Sequence, residues 1–226
     1  MQASNTPVGE KAAFYDEAYK AENYFQNREW LFRPYVKALI SLVSLRKGSI
    51  VLDAGCGQGF FANLFANEGM AAYGTDISRV GLQSAQRRFP SLAGRLFTSD
   101  LLMPAVREEM DCVFVRSCSL HNTPGFEDGL EVTDNLLTVL KPGGLLIFGY
   151  NTNLRPADES WINHSLSQVQ SHFERRGLSA QVYLSNKLDA VAFGRYAFNR
   201  LFTGINALAC NLTGLSGEAV AISNKS

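Results

Sequence analysis

The sequence predicts an α/β fold: a seven-stranded, mostly parallel sheet with helices on both faces. Three observations predict it. From residue 49 onward, short β-branched runs alternate with stretches of helical periodicity. The run "DCVFVRS" at 111–117 is apolar enough to be buried on both faces, as a central parallel strand is. Turn signals at Gly69, Pro90, "KPGG" and Gly177 punctuate the alternation.

Taken in order, "KAAFYDEAYKAENYFQNREWLFRPYVKALISLV" reads as two helices. Pro34 is expected near the first turn of the second, where its missing N–H is harmless. Tyr35, Ala38, Leu39, Leu42 and Val43 then follow helical spacing. "SIVLD" is the first strand, followed by a glycine turn and the helix "FFANLFANEG", which Gly69 closes. "AAYGTD" is the second strand, and Ser78 caps the helix that follows it. "RLFTSD" and "DCVFVRS" are the third and fourth. "FEDGLEVTDNLLTVL" is an amphipathic helix, and "LLIFGY" after "KPGG" is the fifth strand. Ser165 with Gln168 forms a capping box for the next helix. "SAQVYLSN" is the sixth strand and "GEAVAISNK" the seventh. Between them, "LDAVAFGRYAFNRLFTGINALA" carries an apolar stripe at Ala197, Leu201, Ile205 and Leu208, expected to pack on the sheet.

The 226 residues suffice for one sizeable core. One domain is expected, with residues 1–47 as a helical cap and 48–226 as the core. Lys plus Arg and Asp plus Glu both number 21, so no global field draws the chain to nucleic acid or to an anionic surface. A local basic patch stays compatible with that balance. The four cysteines show no metal-ligand spacing, and no metal is expected. The N-terminus lacks a signal-peptide pattern and no run is long enough to span a membrane, so a cytoplasmic protein is expected.

The chemistry concentrates in "VLDAGCGQGFF", residues 51–61. A glycine backbone at a strand end lets a ligand lie against the chain, and helix-start N–H groups favour a negative group. A dinucleotide turn wants G-x-G-x-x-G, but the position of its third glycine holds Phe60. Asp53, two residues before Gly55, would repel a pyrophosphate and suits an ammonium. The turn therefore calls for a ligand with an amino-acid head and a nucleoside tail, namely S-adenosylmethionine.

On these residues the chain resembles the class I S-adenosylmethionine-dependent methyltransferases, in particular those acting on small molecules, over roughly residues 10–223. The resemblance implies a Rossmann-like three-layer sandwich whose last strand runs antiparallel. It also implies that Asp53, Gly55 and Gly57 cradle the methionine part of the cofactor and that Asp76 accepts the ribose hydroxyls, with Ile77 beside the adenine. Asp100 would receive the adenine amino group, with Leu101 beside it. "DCVFVRSCSLHN", which includes Ser117, matches the fourth strand and the loop facing the methyl group. "WINHSLSQVQSHFERRGL" matches the sixth motif region.

Methyl transfer is an in-line displacement, accelerated by proximity and water exclusion. A general base is needed only for an acceptor that still holds its proton. His121 is the candidate base, with shaping of the loop as the alternative. His164 is expected near the acceptor pocket or at a helix start, and His172 on a solvated helix face. Tyr15 and Tyr19, one helical turn apart, either approach the methionine end or pack. The fourth strand lacks the Asn/Asp-Pro-Pro-aromatic tetrad and the Pro-Cys pair tied to nucleobases and glutamine. A small-molecule acceptor, with oxygen or nitrogen as target, is therefore expected, and no nucleic acid. Phe193, Tyr196, Phe198 and Phe202 could roof an apolar or aromatic acceptor. A non-catalytic cofactor-binding protein, an aminopropyl transferase and a nicotinamide-dependent oxidoreductase remain open alternatives.

Overall fold

Seven strands form one sheet in the order β3-β2-β1-β4-β5-β7-β6. The computed structural model describes residues 8–20, 28–102, 109–121, 129–152, 164–185, 187–213 and 217–225. The strands are β1 (Ile50–Ala54), β2 (Ala71–Asp76), β3 (Leu96–Thr98), β4 (Met110–Arg116), β5 (Leu140–Thr152), β6 (Ala180–Ser185) and β7 (Gly217–Asn224). All pairings through β5 are parallel, and β7 runs antiparallel to both β5 and β6. The chain builds outward from β1 to β2 and β3, then crosses back to β4. That reversal opens a crevice at the carboxyl ends of β1 and β4.

The helices are α1 (Val8–Ala18), α2 (Glu29–Leu42), α3 (Phe60–Asn67), α4 (Arg79–Arg88), α5 (Gly129–Val139), α6 (Leu166–Glu174), α7 (Lys187–Phe193) and α8 (Arg200–Thr213). Alternation along the central strands makes three layers. Leu52, Val113, Val115 and Phe148 face α5 and α6, packing on Val132, Leu136, Val169 and Phe173. Val51, Cys112, Phe114 and Ile147 face the other way, onto Tyr35 and Leu39 of α2 and Leu64 and Phe65 of α3. The alternation explains why "CVFV" is apolar throughout: each face of β4 meets its own core.

Ser78 caps α4, its hydroxyl accepting from the Gly81 N–H. The Ser165–Gln168 capping box at α6 is complete on both sides. Three expectations need correction. Pro34 lies inside α2, the sixth residue of a helix starting at Glu29, and the turn before it loses one backbone bond. The stretch read as one helix over 188–209 is two, α7 and α8, parted at Gly194 by a short 3-10 turn whose glycine has φ +56°. Finally, Leu201, Ile205 and Leu208 do not pack on the sheet; they face solvent. Among the described residues no helix is long and apolar enough to cross a membrane. Nor could any group of three or more His, Cys, Asp or Glu side chains among them hold a metal.

Candidate functional site

The glycine turn closes the carboxyl end of β1 over β2. The Gly55 and Cys56 N–H groups both donate to the Thr75 carbonyl, at 2.8 and 2.9 Å, so the turn bends away from β1 immediately after Ala54. Gly57 has φ +52°, and a Cβ there would stand 2.8 Å from the Tyr19 hydroxyl. Gly59, with φ +76°, begins α3, where a Cβ would meet the Ala85 methyl at 2.8 Å. Both positions therefore need glycine for conformation and for space. Cys56 tucks beneath the turn against Gly74, whose missing Cβ makes the room.

Two buried carboxylates hold this turn. Asp53, 4 % exposed, accepts from the Ala62 N–H at 2.9 Å in the first turn of α3. Burial pushes its acid up to about 7, against the pull of that N–H. Asp76, 6 % exposed, accepts from Gly57 N–H at 2.8 Å with one oxygen and from Ser78 N–H at 2.9 Å with the other. Burial raises Asp76 too, opposed by these backbone donors. One side chain thus ties the glycine turn to the entry of α4.

Beyond β3, Asp100 is half-buried and one oxygen accepts from the Leu102 N–H at 3.0 Å; Leu101 is buried in the sheet's α5–α6 face. Ile77 is half-buried between Asp76 and Ser78. At the end of β4, Ser117 takes φ +51°, a strained value for a residue with a side chain. Its N–H donates to Gly149 at 2.8 Å, while its buried hydroxyl has no hydrogen-bond partner among the described residues. A strained serine with an orphaned hydroxyl at a strand end is a mark of a site rather than of a core.

Helix α1 lies over this end of the sheet. Asp16 accepts from the Ser78 hydroxyl at 2.5 Å and from the Val80 N–H at 3.1 Å, which pins α1 to the start of α4. Tyr15 and Tyr19 stack at 5.8 Å, and the buried Tyr19 ring wedges between Gly57 and Gly81.

Sequence reading missed a buried charge cluster beside the turn. Glu218 of β7, 2 % exposed, accepts from the Arg116 guanidinium at 3.0 and 2.8 Å, from the Tyr35 hydroxyl at 3.0 Å, and pairs with Lys187 at 2.8 Å. The two cations hold its carboxyl well below the usual range despite burial. Arg116 also lies over the Phe32 and Phe61 rings. The cluster joins α2, β4, α7 and β7 immediately before Ser117. Its signal in the sequence was a lone charge in each of two apolar strands, "VFVRS" and "GEAVAIS". Asp16 gave no comparable signal, because helical spacing alone does not show what an exposed-looking carboxylate docks against.

His121 does not join this group. It is fully buried, with Nε2 3.1 Å from the Thr133 hydroxyl, which is itself 2.8 Å from Nε2 of His172. The ring packs edge-on to Phe148, and burial pulls its pKa down to about 3, so it stays neutral. His172, expected on a solvated face, is fully buried and lowered likewise to about 3. Helix α6 turns this face toward Phe148, so the histidine fills a core position. His164 is buried with Nε2 3.1 Å from the His121 carbonyl. The aromatic roof needs the same revision. Phe198 is buried against Tyr35 and Tyr183, whereas Phe193 and Tyr196 are more than half exposed. Asn122 and residues 161–163 of the sixth motif region lie outside the described residues.

Residues 52–148 match the family described as "Methyltransferase domain". YqeM of Bacillus subtilis (strain 168), named as a methyltransferase, is 28 % identical over 153 residues, 65 % of this chain and 56 % of its own length. An uncharacterized methyltransferase of Mycobacterium bovis (strain BCG / Pasteur 1173P2) is 25 % identical over 151 residues, 64 % of this chain and 58 % of its own. The chain thus spans less than two thirds of the length of these relatives. Among solved structures, magnesium protoporphyrin IX methyltransferase from Synechocystis PCC 6803, with bound SAM, superposes over 100 % of both chains with TM-score 0.66 and 15 % identity. Haemonchus contortus phosphoethanolamine N-methyltransferase 2 gives 0.64 at 17 % identity, over 93 % of this chain and 60 % of that one. The [4+2]-cyclase SpnF gives 0.56 at 18 % identity, over 85 % of this chain and 80 % of that one. At such identities the likeness concerns fold alone, and a cyclase among these neighbours means that the fold carries more than one chemistry. In its sheet order, its glycine turn after β1 and the methyltransferase-domain match over 52–148, this chain is similar to the S-adenosylmethionine-dependent methyltransferases.

Proposed function

We propose that the chain binds S-adenosylmethionine at the ends of β1, β2 and β4 and directs its methyl group onto a small-molecule acceptor by in-line displacement. The observation that carries this reading is the bridging role of Asp76. Its two oxygens each use one lone pair on the glycine turn and on α4. An ionised carboxylate has about four acceptor positions, so each oxygen can take a ribose hydroxyl as well. The rest of the cradle fits the same group. Asp53 suits the ammonium, the turn admits the backbone-close methionine chain, and Ser117 offers an unpartnered hydroxyl. Asp100 and Leu101, which follow β3, and Ile77, which follows β2, would flank the adenine.

The cofactor would supply a methyl group on a sulfonium that leaves readily. The chain's own task is then to orient and to exclude water. Helix α1, pinned by Asp16 and carrying Tyr15 and Tyr19, is suited to closing over the turn, with α1 and α2 as a cap on the same domain. Arg116, Glu218 and Lys187 anchor the strand end that sets Ser117. No proton is assigned to His121, since a base of such low pKa, buried against Thr133, has little to offer; an acceptor arriving as a free amine needs none. The four free thiols suit a reducing, cytoplasmic compartment.

Calorimetric titration with S-adenosylhomocysteine beside NADH tests the reading. Binding of the first alone is the expected result. Binding of NADH alone would overturn it, because the glycine turn would then be holding a pyrophosphate.

A further inference from the structure

Among the described residues, eight of the ten exposed large apolar side chains fall in one segment, from Leu188 to Leu212. They are Leu188, Val191, Phe193 and Tyr196 in and after α7, and Leu201, Ile205, Leu208 and Leu212 in α8, the last four between 52 and 73 % exposed. The α8 positions follow i, i+4, i+7, i+11, which at about 100° per residue gathers them into an arc of about 60°.

The opposite side of α8 is the side that docks, with Thr203 and Asn206 beside the half-buried Phe202 and Cys210. Thr203 Oγ1 accepts from the Leu184 N–H at 3.3 Å. Asn206, 7 % exposed, donates to the Leu184 carbonyl at 3.2 Å and to Asp189 at 3.0 Å. Strand β6 is the edge of the sheet, so these side chains satisfy backbone groups that would otherwise be an open edge. The helix is thus attached through hydrogen bonds of Thr203 and Asn206 and presents its leucine and isoleucine stripe outward, the reverse of an ordinary surface helix. Asn199 caps it by accepting from the Phe202 N–H, so the orientation is fixed from the first turn.

Of the charged side chains of α7, α8 and the turn between them, Lys187 pairs with Glu218 and Asp189 accepts from Asn206, which leaves Arg195 and Arg200 as the exposed ones. From 190 to 217 the sequence has Arg195 and Arg200 and no carboxylate. Both arginines are exposed, and Arg195 lies beside the exposed Tyr196 ring. We propose that the α7–α8 face is a docking surface for an anionic lipid bilayer, with α8 lying in the interface plane. Leucine and isoleucine side chains would enter the acyl boundary, Phe193 and Tyr196 would sit at headgroup depth, and Arg195 and Arg200 would meet lipid phosphates. At 14 residues α8 is too short to span. A second copy of the chain fits the face less well, because laying it on itself adds two more exposed arginines, while Asp189 is already held by Asn206. The proposal does not depend on the reaction the chain catalyses.

Flotation with phosphatidylcholine vesicles, with and without phosphatidylglycerol, tests it on the full chain. The protein is expected to float with the anionic vesicles and to be released by salt. The double variant Leu208→Glu/Leu212→Glu should lose at least about tenfold in partitioning, given the apolar burial two leucines provide. Arg195→Gln/Arg200→Gln should lose several-fold on anionic vesicles only. All four positions are exposed, so thermal unfolding and S-adenosylhomocysteine binding should stay unchanged and report an intact fold. Absence of flotation with anionic vesicles, or equal flotation of wild type and the leucine variant, overturns the proposal. So does a dimer in light scattering that the leucine variant dissociates while no vesicle binds, which assigns the face to a second copy.

Discussion

At the residue scale, the proposed site rests on two buried acids in different surroundings. Asp76 makes two backbone hydrogen bonds and, in the proposed complex, two more to a ribose. Hydrogen bonds to a charged group contribute about 1.5–3 kcal/mol each, so Asp76→Ala should weaken S-adenosylhomocysteine binding by at least about a hundredfold. Unchanged affinity in calorimetry would remove Asp76 from the site. Asp53 gives a pH signature. Its folded pKa, near 7, stands above the unfolded value of 3.8, so burial costs stability increasingly as pH rises from 3.8 through 7. An ammonium bound beside it favours the ionised form. Below pH 7, ligand binding should therefore release a proton, and affinity should rise with pH up to about 7. Titrations in buffers of differing ionisation enthalpy measure that proton, and Asp53→Asn should abolish it.

At the element scale, helices α1, α5 and α6 decide what the strand ends can do. Asp16 is the polar anchor of α1 on α4, and its loss should free the helix without touching the sheet. Asp16→Ala should weaken S-adenosylhomocysteine binding about tenfold, the worth of one charged hydrogen bond, with little change in Tm. A large fall in Tm would instead make α1 part of the core. Helices α5 and α6 bury His121 and His172 in neutral form around Thr133. For both, the folded pKa of about 3 lies below the unfolded 6.5. The unfolded chain thus binds protons that the folded one cannot. The stability these histidines permit is full above pH 6.5 and falls as the pH drops from 6.5 toward 3. Urea unfolding across that range should show a slope approaching two protons per molecule, apart from what carboxylates add. His121→Ala should lower stability through a lost core ring, and the pH dependence of turnover should be unaltered.

At the scale of the whole molecule, the Glu218 cluster ties the parallel half of the sheet to its antiparallel end. One carboxylate on β7 draws in Arg116 from β4, Tyr35 from α2 and Lys187 from α7. Removing one partner of a buried ion pair typically costs about 3–5 kcal/mol, because the remaining charges stay buried. At about 2–4 °C per kcal/mol for a chain of this size, Glu218→Ala should lower Tm by about 6–20 °C. Glu218→Gln, which keeps the shape and can still accept hydrogen bonds, should cost less. Equal losses in both variants would mean that packing, not charge, holds the junction.

The local rules of the chain were enough for most of its elements and for the outline of the candidate site proposed above. Strand periodicity, the capping residues Ser78 and Ser165 and the closing glycines are set within a few residues, so β1, β2, α4 and α6 follow from them directly. Asp53, the glycines and Asp76 were readable for the same reason: each stands at a strand end, in a pattern whose spacing is fixed by one strand–helix–strand unit. What the sequence left open depends on partners far along the chain. Whether His172 meets water or Phe148, and whether Arg116 is a surface charge or the centre of a buried cluster with Glu218, 102 residues away, follows from how helices pack on the sheet. The stripe of α8 makes the point most plainly. Periodicity shows that Leu201, Ile205, Leu208 and Leu212 share a face, but only the open backbone of edge strand β6, which recruits Thr203 and Asn206, turned that face outward.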